Sequence, residues 1–145
     1  MVVGYTTGVF DLFHVGHVNV LRSAKSMCDK LIVGVSVDAL VSYKNKRPVI
    51  PYEERIDIVR ACRYVDLAVP QESMDKFDAY NRYKFDVMFV GDDWYKSSKW
   101  MELDQDFASK NVRIIYFPYT KTTSSTLINQ TLEQLRTAGQ PPEGV

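Results

Sequence analysis

The sequence predicts an α/β fold built on a parallel sheet of five strands flanked by helices, and three observations carry that expectation. Five short apolar or β-branched runs alternate with stretches of helical periodicity, an order that demands right-handed crossovers between parallel strands. One run, Leu31-Ile32-Val33-Gly34-Val35-Ser36-Val37, is almost continuously apolar, as a strand covered on both faces must be. The clusters rich in glycine, histidine, acid and hydroxyl all follow predicted strands. They therefore gather at the carboxyl edge of the sheet, where open sheets of this kind bind ligands.

Taken in order, Val2-Val3-Gly4-Tyr5-Thr6-Thr7 is the first strand, and Val18, Leu21 and Ala24 mark the helix that follows it. Residues 31–37 complete a strand-helix-strand unit, ended by Asp38. The next stretch, residues 43–51, holds Lys44, Lys46 and Arg47 within four positions, and its two prolines forbid regular helix. A helix over 52–63 shows Ile56 and Val59 at helical intervals, with Glu53 and Glu54 favourable in its first turn. Residues 65–69 form a third strand closed by Pro70, and 75–83 a helix with Phe77 and Tyr80 on one face. Residues 86–90 are the fourth strand, running into Gly91-Asp92-Asp93-Trp94. Trp100, Leu103 and Phe107 pattern a helix over 96–110 that Asn111 ends, and 112–117 is the fifth strand, stopped by Pro118. A hydroxyl-rich entry then leads into a last helix carrying Leu127, Ile128, Leu132 and Leu135. Residues 137–145, with two prolines and two glycines, read as a disordered tail.

The bulk numbers fit one domain over residues 1–136. The 145 residues are 46% hydrophobic, enough for a core. Eighteen basic and eighteen acidic residues cancel, which argues against nucleic acid as a partner but leaves room for a local cluster that binds a small anion. Cys28 and Cys62 lack metal spacing and sit in apolar helical stretches, so they read as reduced, buried thiols. No apolar run has transmembrane length and no leader pattern opens the chain, so a cytoplasmic protein with no membrane partner is expected.

The chemistry concentrates in Gly8-Val9-Phe10-Asp11-Leu12-Phe13-His14-Val15-Gly16-His17, between the first strand and its helix. A lone histidine is ordinarily a surface or core residue. Here the chain's only two histidines fall in one four-residue window beside Gly8 and Gly16, which permit close backbone approach. In the first helical turn, His14 and His17 share a face next to amides without intrahelical partners, and the positive end of the helix dipole adds to their attraction for phosphate. Zinc is the weaker reading, since it needs three or four ligands and no cysteine is near. Lys44 and Lys46 follow a central strand's carboxyl end. They suit either a solvated loop or the neutralisation of phosphates bound at the histidine turn.

Gly8-Val9-Phe10-Asp11 followed by His14-Val15-Gly16-His17 resembles the first signature of the nucleotidyltransferase superfamily, with Val9 where that pattern usually has Thr or Cys. Gly91-Asp92-Asp93-Trp94 resembles the form found in glycerol-3-phosphate cytidylyltransferases, and Trp94 suits a recognition wall. The resemblance spans roughly residues 2–136. It implies a Rossmann-like architecture, a homodimer, and transfer of CMP from CTP to a small phosphorylated acceptor, a step in making precursors of cell-surface polymers. It also implies that His14, His17, Lys44 and Lys46 are catalytic, and that Gly8, Val9, Phe10, Asp11, Gly16, Arg63, Gly91 and Asp93 bind the nucleotide. Lys44, Arg55, Lys76 and Trp94 would hold the acceptor. The resemblance and the triphosphate together imply Mg2+, with Asp11 as its partner, directly or through water.

The hydroxyl-rich entry departs from the family's closing motif, Arg-Thr-Glu-Gly-Ile-Ser-Thr-Thr. Tyr119 stands for the arginine and Lys121 for the glutamate, while Ser124, Ser125 and Thr126 keep the hydroxyl end, and the resemblance implies that Thr120, Lys121, Ser124, Ser125 and Thr126 bind the nucleotide. Lys121 is placed to restore the lost positive charge. In this reading a second helix opening faces the histidine turn, and an acceptor phosphate oxygen attacks the α-phosphorus in line, with no covalent enzyme intermediate. Three alternatives stand beside it: an adenylyltransferase acting on a sugar phosphate or flavin mononucleotide, a nucleotide-binding regulatory module without catalysis, and a structural dimerisation domain.

Overall fold

The computed structural model describes residues 1–42, 47–91, 98–118 and 125–138. In chain order the elements are β1 (Val3–Gly8), α1 (Val15–Ser26), β2 (Lys30–Ser36), α2 (Asp38–Ser42), α3 (Tyr52–Ala61), β3 (Leu67–Gln71), α4 (Lys76–Tyr83), β4 (Val87–Gly91), α5 (Ser98–Ala108), β5 (Arg113–Phe117) and α6 (Ser125–Ala138). The five strands form one parallel sheet in the order β3-β2-β1-β4-β5. This is the expected sheet.

Side-chain alternation sorts the strands into two cores. Leu31, Val33 and Val35 of β2 join Phe89 of β4 under Leu21 and Ala24 of α1 and Ile56 and Val59 of α3. Tyr5, Ile32, Val69 and Met88 face the other way, against Trp100 and Phe107 of α5, with Phe77 and Tyr80 of α4 packed alongside. Each such large side chain, fully buried, contributes about 1.5–3 kcal/mol. Helices α1 and α3 thus cover one face and α4 and α5 the other. Successive strands move outward on one side of β1 and then jump to β4 on the other, so β1 and β4 flank the point where ligands bind in such sheets. There the Thr6 hydroxyl donates to the Phe89 carbonyl at 3.0 Å.

Several boundaries differ from the sequence expectation for identifiable reasons. β3 runs through Pro70, which an edge strand tolerates because one side of its backbone needs no ladder bond. α3 stops at Ala61, where the capping N–H of Cys62 turns back to the Val59 carbonyl. Asp75 caps α4 by accepting from Phe77 N–H. Asn111, at φ 61°, takes the left-handed conformation between α5 and β5, one that asparagine adopts at little cost. The short α2 has no counterpart in the expectation. α6 continues to Ala138, so residues 137 and 138 of the expected tail are helical; residues 139–145 lie outside the described residues.

Candidate active site

The turn between β1 and α1 is built from opposing demands. Phe10 and Leu12 both have left-handed backbones, at φ 55° and 51°, a conformation costing side-chain-bearing residues roughly 1–2 kcal/mol each. The Phe10 ring is buried, and a Cβ at Gly8 would meet it at 3.0 Å, so position 8 has little room for a side chain. Asp11 holds the turn from the other side. One carboxylate oxygen accepts from Leu12 N–H at 3.1 Å and Ile50 N–H at 2.9 Å, and the other from Val49 N–H at 2.8 Å. The strained turn is thereby tied to the segment that follows the basic stretch.

The two histidines cap α1 reciprocally. His14 is the N-cap residue, and its Nδ1 accepts from Gly16 N–H at 3.0 Å, while His17 Nδ1 accepts from His14 N–H at 3.1 Å. An imidazole whose Nδ1 accepts is neutral and carries its proton on Nε2. The charges agree with this tautomer. Burial lowers the His14 pKa below its ordinary value. Burial, reinforced by neighbouring His14 and opposed by Asp11, takes His17 down to about 4. The rings lie 4.0 Å apart, centroid to centroid, close enough for two imidazolium charges to repel. With both Nδ1 atoms committed, two neutral Nε2–H donors remain for a ligand.

His17 lines a cleft of about 730 Å³ that runs along the carboxyl edge of the sheet, with Gly8, Val9, Phe10, Asp11 and Gly91 also in its wall. Gly16, in the first turn of α1, is buried. Asn129 and Gln130 of α6 reach the same cleft, so the last helix lies across from the histidine turn. In the same wall Lys76, only 8% exposed, donates to the Thr7 hydroxyl at the end of β1 at 3.2 Å. Lys44, Lys46, Asp93, Trp94, Thr120, Lys121 and Ser124 lie outside the described residues, as do the side chains of Ser125 and Thr126.

Three expected site residues take places of their own within the single chain. Arg55 is fully enclosed, so its guanidinium is placed to hold other elements rather than an acceptor. Its Nε donates to the Ile50 carbonyl at 2.8 Å, one terminal nitrogen donates to Val9 and Ser36 carbonyls at 2.7 Å each, and the other pairs with Asp38 at 2.6 Å. It locks the histidine turn, the end of β2 and the approach to α3 to one another. Arg63 is exposed beside Tyr64, its guanidinium 5.6 Å from that ring, in the connection from α3 to the start of β3. That is the edge opposite the cleft. Asp11 spends its acceptor capacity on three backbone N–H groups, and among the described residues no three His, Cys, Asp or Glu side chains stand together to hold a metal. Within the chain the carboxylate serves as a clamp across these N–H groups.

Ser36 and Gln71 are among the cleft residues that sequence reading passes over. Ser36 and Gln71 end β2 and β3, both are buried, and the Ser36 hydroxyl donates to Gln71 Oε1 at 2.7 Å. The signal lay in strand alternation, which sets Thr7, Ser36 and Gln71 on the face shared by Tyr5, Ile32 and Val69.

The cytidylyltransferase-like family model matches residues 5–133, nearly the whole described chain. The chain belongs to the cytidylyltransferase-like family. It is therefore a nucleotidyltransferase. A glycerol-3-phosphate cytidylyltransferase of Staphylococcus aureus is 36% identical over 128 residues, 88% of this chain and 92% of that relative. An FAD synthase of Archaeoglobus fulgidus is 36% identical over 109 residues, 75% of this chain and 79% of its own. Among solved structures, a lipopolysaccharide core biosynthesis protein from Thermoplasma volcanium matches with a TM-score of 0.70 and 25% identity, covering 85% of this chain and 99% of that one. Among the described residues no helix is long and apolar enough to cross a membrane.

Proposed function

We propose that this family member transfers CMP from CTP to a small phosphomonoester, glycerol 3-phosphate first among them, giving a CDP-linked product and pyrophosphate. The observation that carries the reading is the reciprocal cap of His14 and His17, which presents two neutral donors beside the α1 opening. A phosphate monoester is already an anion near neutral pH, so the reaction needs alignment and charge stabilisation rather than a strong base. An oxygen of the acceptor phosphate forms the new bond to the α-phosphorus, and the bond from that phosphorus to the bridging oxygen breaks, releasing pyrophosphate. The Nε2–H groups of His14 and His17 meet the negative charge that grows on the α-phosphoryl and bridging oxygens. Lys44 and Lys46 flank them in this scheme. Magnesium, when bound to the triphosphate, would lower its charge; homodimer assembly and a place in cell-surface polymer synthesis belong to the same proposal.

Glycerol 3-phosphate and CTP are favoured because the similarity to the Staphylococcus aureus relative covers both chains nearly end to end. A second reading, adenylyl transfer from ATP to flavin mononucleotide, has its own support in the similarity to an FAD synthase. Pyrophosphate release measured with CTP and ATP, each crossed with glycerol 3-phosphate, other small phosphomonoesters and flavin mononucleotide, separates them. Fastest release from CTP with glycerol 3-phosphate is expected. A preference for ATP with flavin mononucleotide establishes the second reading, and nucleotide binding without any release makes the chain a regulatory module.

A further inference from the structure

We infer that Gln71 recognises the acceptor, its carboxamide N–H donating to a hydroxyl of the molecule whose phosphate Lys76 holds. The pocket at the ends of β2 and β3 would thus select a small phosphomonoester that carries a hydroxyl close to its phosphate. The inference rests on the transferase reading above and names the group on the acceptor that the enzyme selects.

Gln71 is 6% exposed and Ser36 5%. The Ser36 hydroxyl donates to Gln71 Oε1 at 2.7 Å, which fixes the carboxamide so that its nitrogen lies away from Ser36. Among the described residues that nitrogen meets only the Met74 sulfur, at 4.0 Å. A thioether is a weak acceptor, and a buried amide nitrogen brings two N–H donors, so this group is poorly satisfied by the protein. It is also in the right place. Gln71, Ser36, Met74 and Lys76 line the same cleft as His17, and Lys76 is anchored on the Thr7 hydroxyl at the end of β1.

The direction of the reaction sets the order of groups along this wall. The attacking phosphate must lie toward His17, so the acceptor's carbon chain extends along the strand ends toward β3. Adjacent strands stand about 4.8 Å apart, which puts β3 about 10 Å from β1. The Lys76 and Gln71 side chains, with a short polyol phosphate between them, span that gap. Met74 gives the chain's carbons an apolar contact, and the only strong donor facing its hydroxyls from β3 is the Gln71 amide among the described residues.

The test compares glycerol 3-phosphate with its two deoxy analogues, 3-hydroxypropyl phosphate and 2-hydroxypropyl phosphate, in wild type and in Gln71→Met. In wild type, one analogue is expected to lose about tenfold in kcat/KM, the size of one neutral hydrogen bond. Gln71→Met should raise KM for glycerol 3-phosphate by a similar factor, leave KM for CTP unchanged, and turn over the sensitive analogue as well as glycerol 3-phosphate. Gln71→Leu removes the carboxamide without adding a charge or an acceptor, and it should show the same loss should the methionine variant fail to fold. Equal analogue penalties in wild type and variant, or an unchanged KM for glycerol 3-phosphate, overturn the role of Gln71 while leaving CMP transfer intact. Wild type that turns over none of the three with CTP removes the transferase reading and this inference together.

Discussion

The two edges of the sheet answer the same physical problem in opposite ways. At the amino edge, backbone N–H groups at the strand starts are closed by carboxylates of the chain itself. Asp29 accepts from Val2 at 2.7 Å, Asp86 from Val3 at 2.8 Å, and Asp66 from Leu31 at 2.7 Å while also pairing with Lys25 at 2.6 Å. At the carboxyl edge the polar groups are only half closed. The imidazoles of His14 and His17 use one nitrogen each to cap α1, and Gln71 uses its oxygen on Ser36, so among the described residues the second half of each group meets no strong partner. An edge that completes its own hydrogen bonds contributes stability, and an edge that leaves them incomplete contributes binding.

That contrast is broken most forcefully at His17. Replacing it with alanine removes a donor that acts on the transition state, and kcat for pyrophosphate release should fall about 10²–10³-fold. The lost cap should lower stability by about 1 kcal/mol, too little to unfold the chain. Near-normal kcat with the preferred substrates would show that the open edge is not where the chemistry occurs. A smaller effect is expected at the closed edge. Asp66→Ala leaves the Leu31 N–H and the Lys25 ammonium without their carboxylate, and stability should drop by about 1–2 kcal/mol. For a chain of this length that is a Tm shift of about 2–4 °C per kcal/mol, with kcat at moderate temperature unchanged. A parallel loss of kcat would mean that the two edges are coupled through the sheet.

The same contrast explains what could be read from the sequence. The sheet was legible because each strand is a local run with its own period, and the histidine turn because its residues are neighbours in the chain, from Gly8 to His17. The wall at the ends of β1, β2 and β3 was legible only at Lys76. Thr7, Ser36, Gln71 and Lys76 come from four separate elements, and only the strand order brings them together. The enclosure of Arg55 was illegible for a related reason. On a helix an arginine reads as a surface or ligand-binding cation, but three carbonyls and Asp38, all from other segments, enclose it. Arg63 sits in a local motif of the family, and within one chain the connection from α3 to β3 sets it at the opposite edge. Pro70 seemed to close a strand because its edge position, which makes it harmless, is a property of the whole sheet.

An effect of similar size concerns the charge state of the open edge. His17 is held neutral in the folded chain, its pKa lowered to about 4 from an ordinary 6.5 by burial first, then by His14, against the opposing pull of Asp11. Between those two values the unfolded chain takes up a proton that the folded chain does not. Stability from this group is therefore full above about pH 6.5 and is lost as the pH falls toward about 4. His14, lowered by burial as well, adds in the same direction. His17→Asn has no proton to take up and keeps an amide oxygen that can accept from His14 N–H, so its Tm should fall less than that of wild type between about pH 7 and about pH 5. The carboxylates titrate alike in both proteins and cancel in that difference, which should amount to about 2 kcal/mol, or several degrees. Equal Tm losses would mean that His17 is protonated in the folded state, and then its Nδ1 could not accept from His14 and the reciprocal cap would not exist.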